Sequence, residues 1–382
     1  MAVYLDYNAT TPVDERVLAA MLPYLSTHYA NPSSLHRQGR MVRAAVEAAR
    51  EQVAALVNTH PSQIVFTSGG TEANNLALKG ACAAAAPGRL IVSAVEHSSV
   101  LEPARSLVKT GWVVDEVPVD EDGRVAVEAV RGAMTEDTRL VSVMMANNET
   151  GAIQDSAAIA AVVAGAGAVF HTDAVQALGK MAVDFPASGA RLMSLSAHKI
   201  YGPKGVGALV YDRSLPMEPQ LHGSGHEGGL RSGTENVAGI IGFGAAAELA
   251  QAQWRVQVAA LRGLRDYLER RLHELPEVVI FCERAERLAN TVFMALQGIE
   301  GEALKMGLDR AGIAVSSGSA CTAGSSEPSH VLTAMGVPEH LARCAVRISL
   351  GHGNTRHDVD VLIDALKCER RALDDTSLLA WK

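Results

Sequence analysis

Cys321 stands alone in "SSGSACTAGSSEPSH" (316–330), a run of small, flexible and polar residues. Most lone cysteines in a soluble chain are small buried hydrophobes. This one occupies a stretch whose composition suits a mobile, wet loop. A thiol there is a candidate nucleophile, because the thiolate is the reactive form of cysteine; an idle loop cysteine is the plain alternative. A second group of residues recurs where apolar runs end. Ser68-Gly69-Gly70-Thr71-Glu72 follows "QIVFT", Glu96-His97 follows "RLIVSAV", and Asn147-Asn148-Glu149 follows "RLVSVMMA". Asp173 and Gln176 follow "AVFHT", and Ser196-Ala197-His198-Lys199 closes "RLMSL". Small residues opening a helix suit a phosphate, through free backbone N–H groups and the positive end of the helix dipole. A tight turn would look the same, and the stretch is neither GxxxxGK[ST] nor GxGxxG. Singly, a histidine is most often structural and a lysine a solvated charge. Together, a lysine, a carboxylate and an anion site on one rim are what pyridoxal phosphate requires. The lysine binds its aldehyde as a Schiff base, and the aspartate keeps the pyridine nitrogen protonated so that the ring draws electrons.

That rim needs an open sheet to build it, since ligands of α/β sheets bind beyond the carboxyl ends of the strands. Strand-like and helix-like segments alternate through the first two thirds of the chain. "SQIVFTS", "GRLIVSAV", "TRLVSVMM", "AVFHTD", "RLMSLS" and "GVGALVYD" are short apolar runs, as expected of buried parallel strands. "EANNLALKGACAAA" and "DSAAIAAVVAGAG" read as helices between them. From about Asn236 a long helical tract follows. After it come short strands in "EVVIFCE", "ANTVFMAL", "GIAVSSGS" and "AVRISLG", interleaved with helices, which is the pattern of a smaller α+β domain.

Bulk properties exclude other classes. Hydrophobic residues make up 48% and charged residues 20%, enough to bury a large core. A net charge of −8 argues against nonspecific nucleic-acid binding. No apolar run approaches the roughly 20 residues of a membrane helix, and "MAVYLDYNATTP" lacks the features of a signal peptide. The cysteines, at 82, 282, 321, 344 and 368, are odd in number and form no CxxC pair. The expectation is a cytoplasmic protein with no disulfide framework and no preformed zinc site.

"LDYNATTP", "NPSSLH", "TSGGTEANN", "EHSSV", "ANNETG", "HTDAVQALGK", "SLSAHKIYGPKGVGAL", "RSGTEN" and "SSGSACTAGSSEPSHVL" occur in one order over nearly the whole chain. The chain resembles the pyridoxal-phosphate cysteine desulfurases of the IscS/NifS type. "SAHK" alone would mark only the wider class-V aminotransferase group; "SGSAC" with "EPSHVL" narrows it. The resemblance implies the fold-type I transferase architecture: a mostly parallel central sheet with helices on both faces, plus a small α+β domain. Residues 15–255 would form the large domain, and 1–14 with 256–382 the small one carrying the Cys321 loop. By the same resemblance Lys199 would bind the cofactor aldehyde, Asp173 would pair with its ring nitrogen, and His97 would stack on the ring and relay protons. Gln176 would bond the ring hydroxyl, with Asn147 near it and near the substrate carboxylate. Gly70, Thr71, Ser196 and His198 would hold the phosphate. Thr234 would reach the phosphate of a partner subunit in a homodimer, and Arg347 would pair with the carboxylate of L-cysteine. Cys321 would take the substrate sulfur as a persulfide, leaving alanine, and pass it to an iron–sulfur scaffold or another acceptor. It could also ligate a cluster transiently during transfer. Gly318, Ser319, Ala320, Gly324 and Ser325 would let the loop swing.

Three positions depart from the pattern. Gly228 replaces a usual arginine, Ser224 a common glycine and Tyr7 a usual asparagine. The ending "DDTSLLAWK" does not match the tail that binds the scaffold in housekeeping relatives, which leaves the acceptor and pathway open. The competing readings are a related lyase or aminotransferase favouring selenocysteine, a non-catalytic assembly scaffold, and a Cys–His hydrolase. The last leaves Lys199 and the phosphate turn without a purpose.

Overall fold

The computed structural model describes residues 3–317 and 327–379. Cys321 and the glycines, serines and alanine around it therefore lie outside the described residues. The described chain begins with the short strand β1 (Val3–Tyr4). β2 (Ile64–Thr67), β3 (Arg89–Ser93), β4 (Val113–Val117), β5 (Thr138–Ser142), β6 (Val169–Asp173), β7 (Leu192–Ser196) and β8 (Gly207–Tyr211) form one sheet. Its order is β2-β8-β7-β6-β5-β3-β4. β4, β3, β5, β6 and β7 are parallel, whereas β8 runs antiparallel to both β2 and β7. The exception follows from chain length. Only residues 197–206 join β7 to β8, and a parallel return needs a dozen or more residues, usually a helix.

Each strand alternates between two cores. Ile64, Phe66, Ile91, Val141, Met193 and Val210 face the core capped by the helices Glu15–Ser26, Arg37–Leu56 and the first half of Val237–Leu272. Val65, Leu90, Val92, Leu140, Leu192 and Leu209 face the other, covered by Gly70–Ala83 and Ser98–Leu107. The helix Val237–Leu272 spans 36 residues. Its Phe243, Ala246 and Ala247 belong to the first core, while Leu268 and Leu272 lie in a third. The division expected at 255/256 thus falls inside one continuous helix.

The third core backs a small sheet of β9 (Val278–Ile280), β10 (Thr291–Leu296) and β12 (Ala345–Ser349), antiparallel in the order β12-β10-β9. β11 (Ile313–Ala314), read in the sequence as one more strand of this region, instead pairs in parallel with β1, Val3 opposite Ile313. From β1 the chain runs along the seam between the two sheets. Asp6 bridges Ser349, Asn8 Nδ2 donates to Thr291 Oγ1 at 2.9 Å, and Thr11 N donates to His198 O at 3.0 Å.

Two of the three unusual positions have a structural reason. Gly228 sits at φ +65° in a tight turn, a conformation that favours glycine. The turn is fixed by Glu227, whose carboxylate takes both Arg50 Nη atoms at 2.7 Å and the Phe66 amide at 2.8 Å. Tyr7 is buried, with its ring so close to Gly351 that a Cβ there would lie 2.1 Å from it.

Candidate active site

The strand ends do converge. A cavity of about 380 Å³ opens at the carboxyl ends of β2, β6 and β7. Gly70, Thr71, Ser196 and His198 line it together with Asp173, Gln176 and His97, and Lys199 and Arg347 also face it. The phosphate turn is packed tightly. Gly69 has φ +154°, a Cβ on Gly70 would lie 2.9 Å from Val175 Cγ2, and one on Gly207 would lie 2.6 Å from the Gly69 backbone. β8 therefore presses against the turn and aims the start of the helical stretch Gly70–Ala83 at the cavity. Ser196 Oγ is buried there without a hydrogen-bond partner among the described residues. Buried hydroxyls are normally satisfied, so an unpaired one beside free helix amides fits a group rich in acceptor oxygens, as a phosphate is.

Asp173 ends β6 and is buried. Asn74 Nδ2 donates to its Oδ2 at 2.7 Å and the Val175 amide to its Oδ1 at 2.9 Å. His97 caps the helix Ser98–Leu107, and its Nδ1 accepts from the Ser99 amide at 3.1 Å. That bond places the proton of the neutral ring on Nε2. Burial pushes the His97 pKa down, with Asp173 opposing the shift and Lys199 adding to it. His198 is pushed down to about 4, by burial first and then by Lys199, so it too is neutral near pH 7. Lys199 Nζ donates to the carbonyls of Asn8 and Ala9. Arg347 comes from β12 across the seam; its Nη2 donates to Asp6 Oδ1 at 2.8 Å and its Nη1 to Asn148 O at 3.0 Å.

Two expected residues fall outside this lining. Asn147 is buried, but its Oδ1 accepts from the amides of Glu149 and Thr150, and its Nδ2 donates to Val95 O. These bonds tie Asn147 to its own turn and to Val95, and its neighbour Asn148 lines the cavity. The sequence placed the two asparagines side by side, and only the turn's hydrogen bonds tell them apart. Asn148→Ala is accordingly expected to raise KM for substrate about tenfold with an unchanged melting temperature. Asn147→Ala should lower the melting temperature through unpaired buried amides; the opposite pattern in kinetics and melting would give Asn147 the substrate-side role expected of it. Thr234 is exposed and lies outside the cavity of its own chain. Asn8, Asn74 and Lys180 were not singled out from the sequence, although all three stand in the quoted motifs.

A buried acid adjoins the site. Glu96 Oε1 accepts from Ser93 Oγ and the Met144 amide, both at 2.6 Å, while Oε2 has no partner among the described residues. Burial pushes its carboxyl up to about 8, with nearby Asp173 adding to the rise. An unfolded glutamate titrates near 4.3, so folding takes up a proton between those values. The stability this group contributes is complete below about pH 4 and is lost as pH rises through about 8. Glu96→Gln should flatten that loss. The fall in melting temperature from about pH 5 to about pH 8 is expected to be several degrees smaller than in wild type, and equal falls would show Glu96 ionised throughout.

Residues 3–362 match the family model for class-V aminotransferases, and the chain belongs to that family. A cysteine desulfurase IscS of Dictyoglomus turgidum is 44% identical over 368 residues, covering 96% of this chain and 93% of that protein. A solved NifS-like protein superimposes with a TM-score of 0.90 at 38% identity, covering 96% of this chain and 98% of that one. A structure described as SspA in complex with cysteine has a TM-score of 0.81 at 35% identity, covering 91% and 98%. Within the class-V group, the chain is a member of the IscS/NifS-type cysteine desulfurases, which are pyridoxal-phosphate enzymes.

Proposed function

We propose that this enzyme removes sulfur from L-cysteine, yielding L-alanine and a persulfide on Cys321. The observation that carries this reading is the anchoring of the residues that flank 318–326. On one side, Ser316 exchanges two backbone hydrogen bonds with Arg347, which lines the cavity. On the other, His330 Nε2 donates to the carbonyl of Glu96, next to His97. Both ends of the segment bearing Cys321 are therefore rooted at the cofactor cavity.

When bound, pyridoxal phosphate supplies an aldehyde that captures amines and a ring that takes up electron density from the substrate Cα. Gly70, Thr71, Ser196 and His198 would hold its phosphate, Asp173 its ring nitrogen, Gln176 its ring hydroxyl with Asn147 near it, and Lys199 its aldehyde. The Arg347 guanidinium orients the substrate carboxylate, a task suited to its rigid fork. The Lys199 amine would take the Cα proton, and neutral His97 could accept and return protons through Nε2. The Cys321 thiolate attacks the substrate sulfur. An S–S bond forms, the Cβ–S bond breaks with its electron pair left on the carbon fragment, and protons from Lys199 and His97 complete alanine. Cysteine plus thiol becomes alanine plus persulfide, so no external oxidant enters.

The persulfide sulfur then passes to an acceptor, an iron–sulfur scaffold or another thiolated product, with Cys321 as the residue that would ligate a nascent cluster. Among the described residues no group of three or more His, Cys, Asp or Glu side chains could hold a metal. We place the enzyme in the cytoplasm as a homodimer in which exposed Thr234 of one copy reaches the other copy's phosphate. Support comes from Leu18, Leu22 and Leu25, 46%, 52% and 63% exposed along one helix. No described helix is long and apolar enough to cross a membrane. The cofactor-loaded protein given L-cysteine and a thiol reductant should form alanine and sulfide in equal amounts; alanine without sulfide, or turnover of selenocysteine alone, would overturn the reading.

A further inference from the structure

Lys180 closes the "HTDAVQALGK" stretch and has no part in the chemistry above. Its Nζ donates to Gln176 Oε1 at 2.7 Å and to Asn8 Oδ1 at 3.2 Å. Gln176 Nε2 in turn donates to the main-chain carbonyl of Asn8 at 2.9 Å. Asn8 and Gln176 are both buried.

A carboxamide can face either way until a neighbour that only accepts, or only donates, fixes it. The carbonyl of Asn148 fixes Asn8. It takes a bond from Asn8 Nδ2 at 3.2 Å, so Asn8 Oδ1 is the acceptor, and Asn290 Nδ2 also donates to that oxygen at 2.9 Å. The Asn8 carbonyl then fixes Gln176, because only the Nε2 end can donate to it. Oε1 is left facing Lys180. Burial, then Lys199 and Arg347, push the Lys180 amine well down. The shift favours the neutral amine, whose two N–H bonds match the two oxygens before it. Among the described residues no bond takes the second N–H of Gln176 Nε2, and Gln176 lines the cofactor cavity.

We propose that Lys180 is a positioning residue that locks the Gln176 side chain with its donor end toward the cofactor, so that Gln176 gives a hydrogen bond to the ring oxygen rather than accepting one from it. The inference rests on Gln176 standing at the ring hydroxyl and on Lys199 being the cofactor lysine. A donated bond favours the ring oxygen as an anion and weakens its hold on the proton it shares with the lysine-linked nitrogen. That proton is then lost at a lower pH. The other titratable groups that share the cavity with Gln176 are Asp173, His97, His198, Lys199 and Arg347. All of them are kept in the variants that follow.

The test is a spectrophotometric pH titration of the holoenzyme, run as a double-mutant cycle. It reads the midpoint at which the Lys199-linked chromophore loses its proton. Gln176→Ala removes the donated bond and should raise the midpoint by about one pH unit, a tenfold change in proton affinity. Its direction decides the orientation with Lys180 untouched: a fall would mean that the amide accepts from the ring hydroxyl, and would overturn the proposal. Lys180→Met removes the lock and should raise the midpoint by about half a unit or more. In the Gln176→Ala background Lys180→Met should add nothing, because a residue that acts through another is not additive with it. No rise in Lys180→Met, or the same rise without Gln176, overturns the proposal equally. Borohydride reduction of wild type identifies the cofactor lysine. Cofactor trapped on another lysine, or an unmoved midpoint in Gln176→Ala, overturns the underlying site assignment as well. Trapping on Lys199 with a raised midpoint in Gln176→Ala and an unmoved one in Lys180→Met overturns this inference alone.

Discussion

Cys321→Ala is expected to keep the yellow cofactor and to lower alanine formation from L-cysteine by at least about 10³-fold, the scale of losing a covalent nucleophile. The two halves of this result have separate causes. In the proposed site, cofactor retention would depend on Gly70, Thr71, Asp173, Ser196, His198 and Lys199, all set by the large sheet. Sulfur removal depends on a thiolate reaching the bound substrate, and no other cysteine offers one. Cys82, Cys282 and Cys344 are buried, and burial pushes the first two thiols up to about 12. Cys368 is exposed, but it stands on the helix Arg356–Leu379, packed over the third core rather than at the cavity. Absorbance and alanine release on one preparation decide the matter. A yellow variant that turns cysteine over at the wild-type rate would remove Cys321 from the mechanism.

Asp173→Asn is the second large effect, and here activity and stability should part. The substitution removes the charge that would hold the ring nitrogen protonated, so kcat is expected to fall by about 10² to 10⁴. The protein should nonetheless melt within a few degrees of wild type. Asn74 Oδ1 is buried and unpartnered among the described residues, while its Nδ2 donates to Asp173. A rotation of the Asn74 amide would present that oxygen to the new amide group, so a donor does not end up facing a donor. Measuring kcat and melting temperature together tests this. A collapse in stability would mean that Asp173 serves the fold first and the cofactor second.

Much of this was readable in the sequence because one geometry imposes it. Short apolar runs followed by polar residues have to be strands whose ends form a rim, and Asp173, Ser196 and Lys199 sit at such ends. What could not be read has physical reasons as particular. β4, "VVDEV", is an edge strand with exposed Val113 and Glu116, so it gave no buried-strand pattern. β8 reverses direction because its link to β7 is short, a constraint on length rather than on residue type. Asn147 and Asn148 have the same side chain, and which one faces the ligand depends on the hydrogen bonds of a turn. Asn8 and Lys180 stood in quoted motifs without a role, because their importance comes from meeting across the fold. Asn8 joins Lys180 and the adjacent pair Asn290 and Thr291 from two distant parts of the chain.

That seam has a consequence for how the enzyme is made. Residues 3–11 leave the ribosome ahead of the rest of the described chain, yet their resting places are Ile313, Thr291, Asn290 and Ser349. The large sheet is complete once β8, ending at Tyr211, has emerged. At ordinary rates of chain synthesis the remaining strands follow on the order of ten seconds later. During that interval Asn8 has neither Thr291 nor Asn290 to hold it, so its carbonyl cannot steady Lys199. With Lys199 as the proposed cofactor lysine, capture of the reactive aldehyde would be deferred until the chain is nearly finished, and a half-made enzyme would be spared a half-made active site.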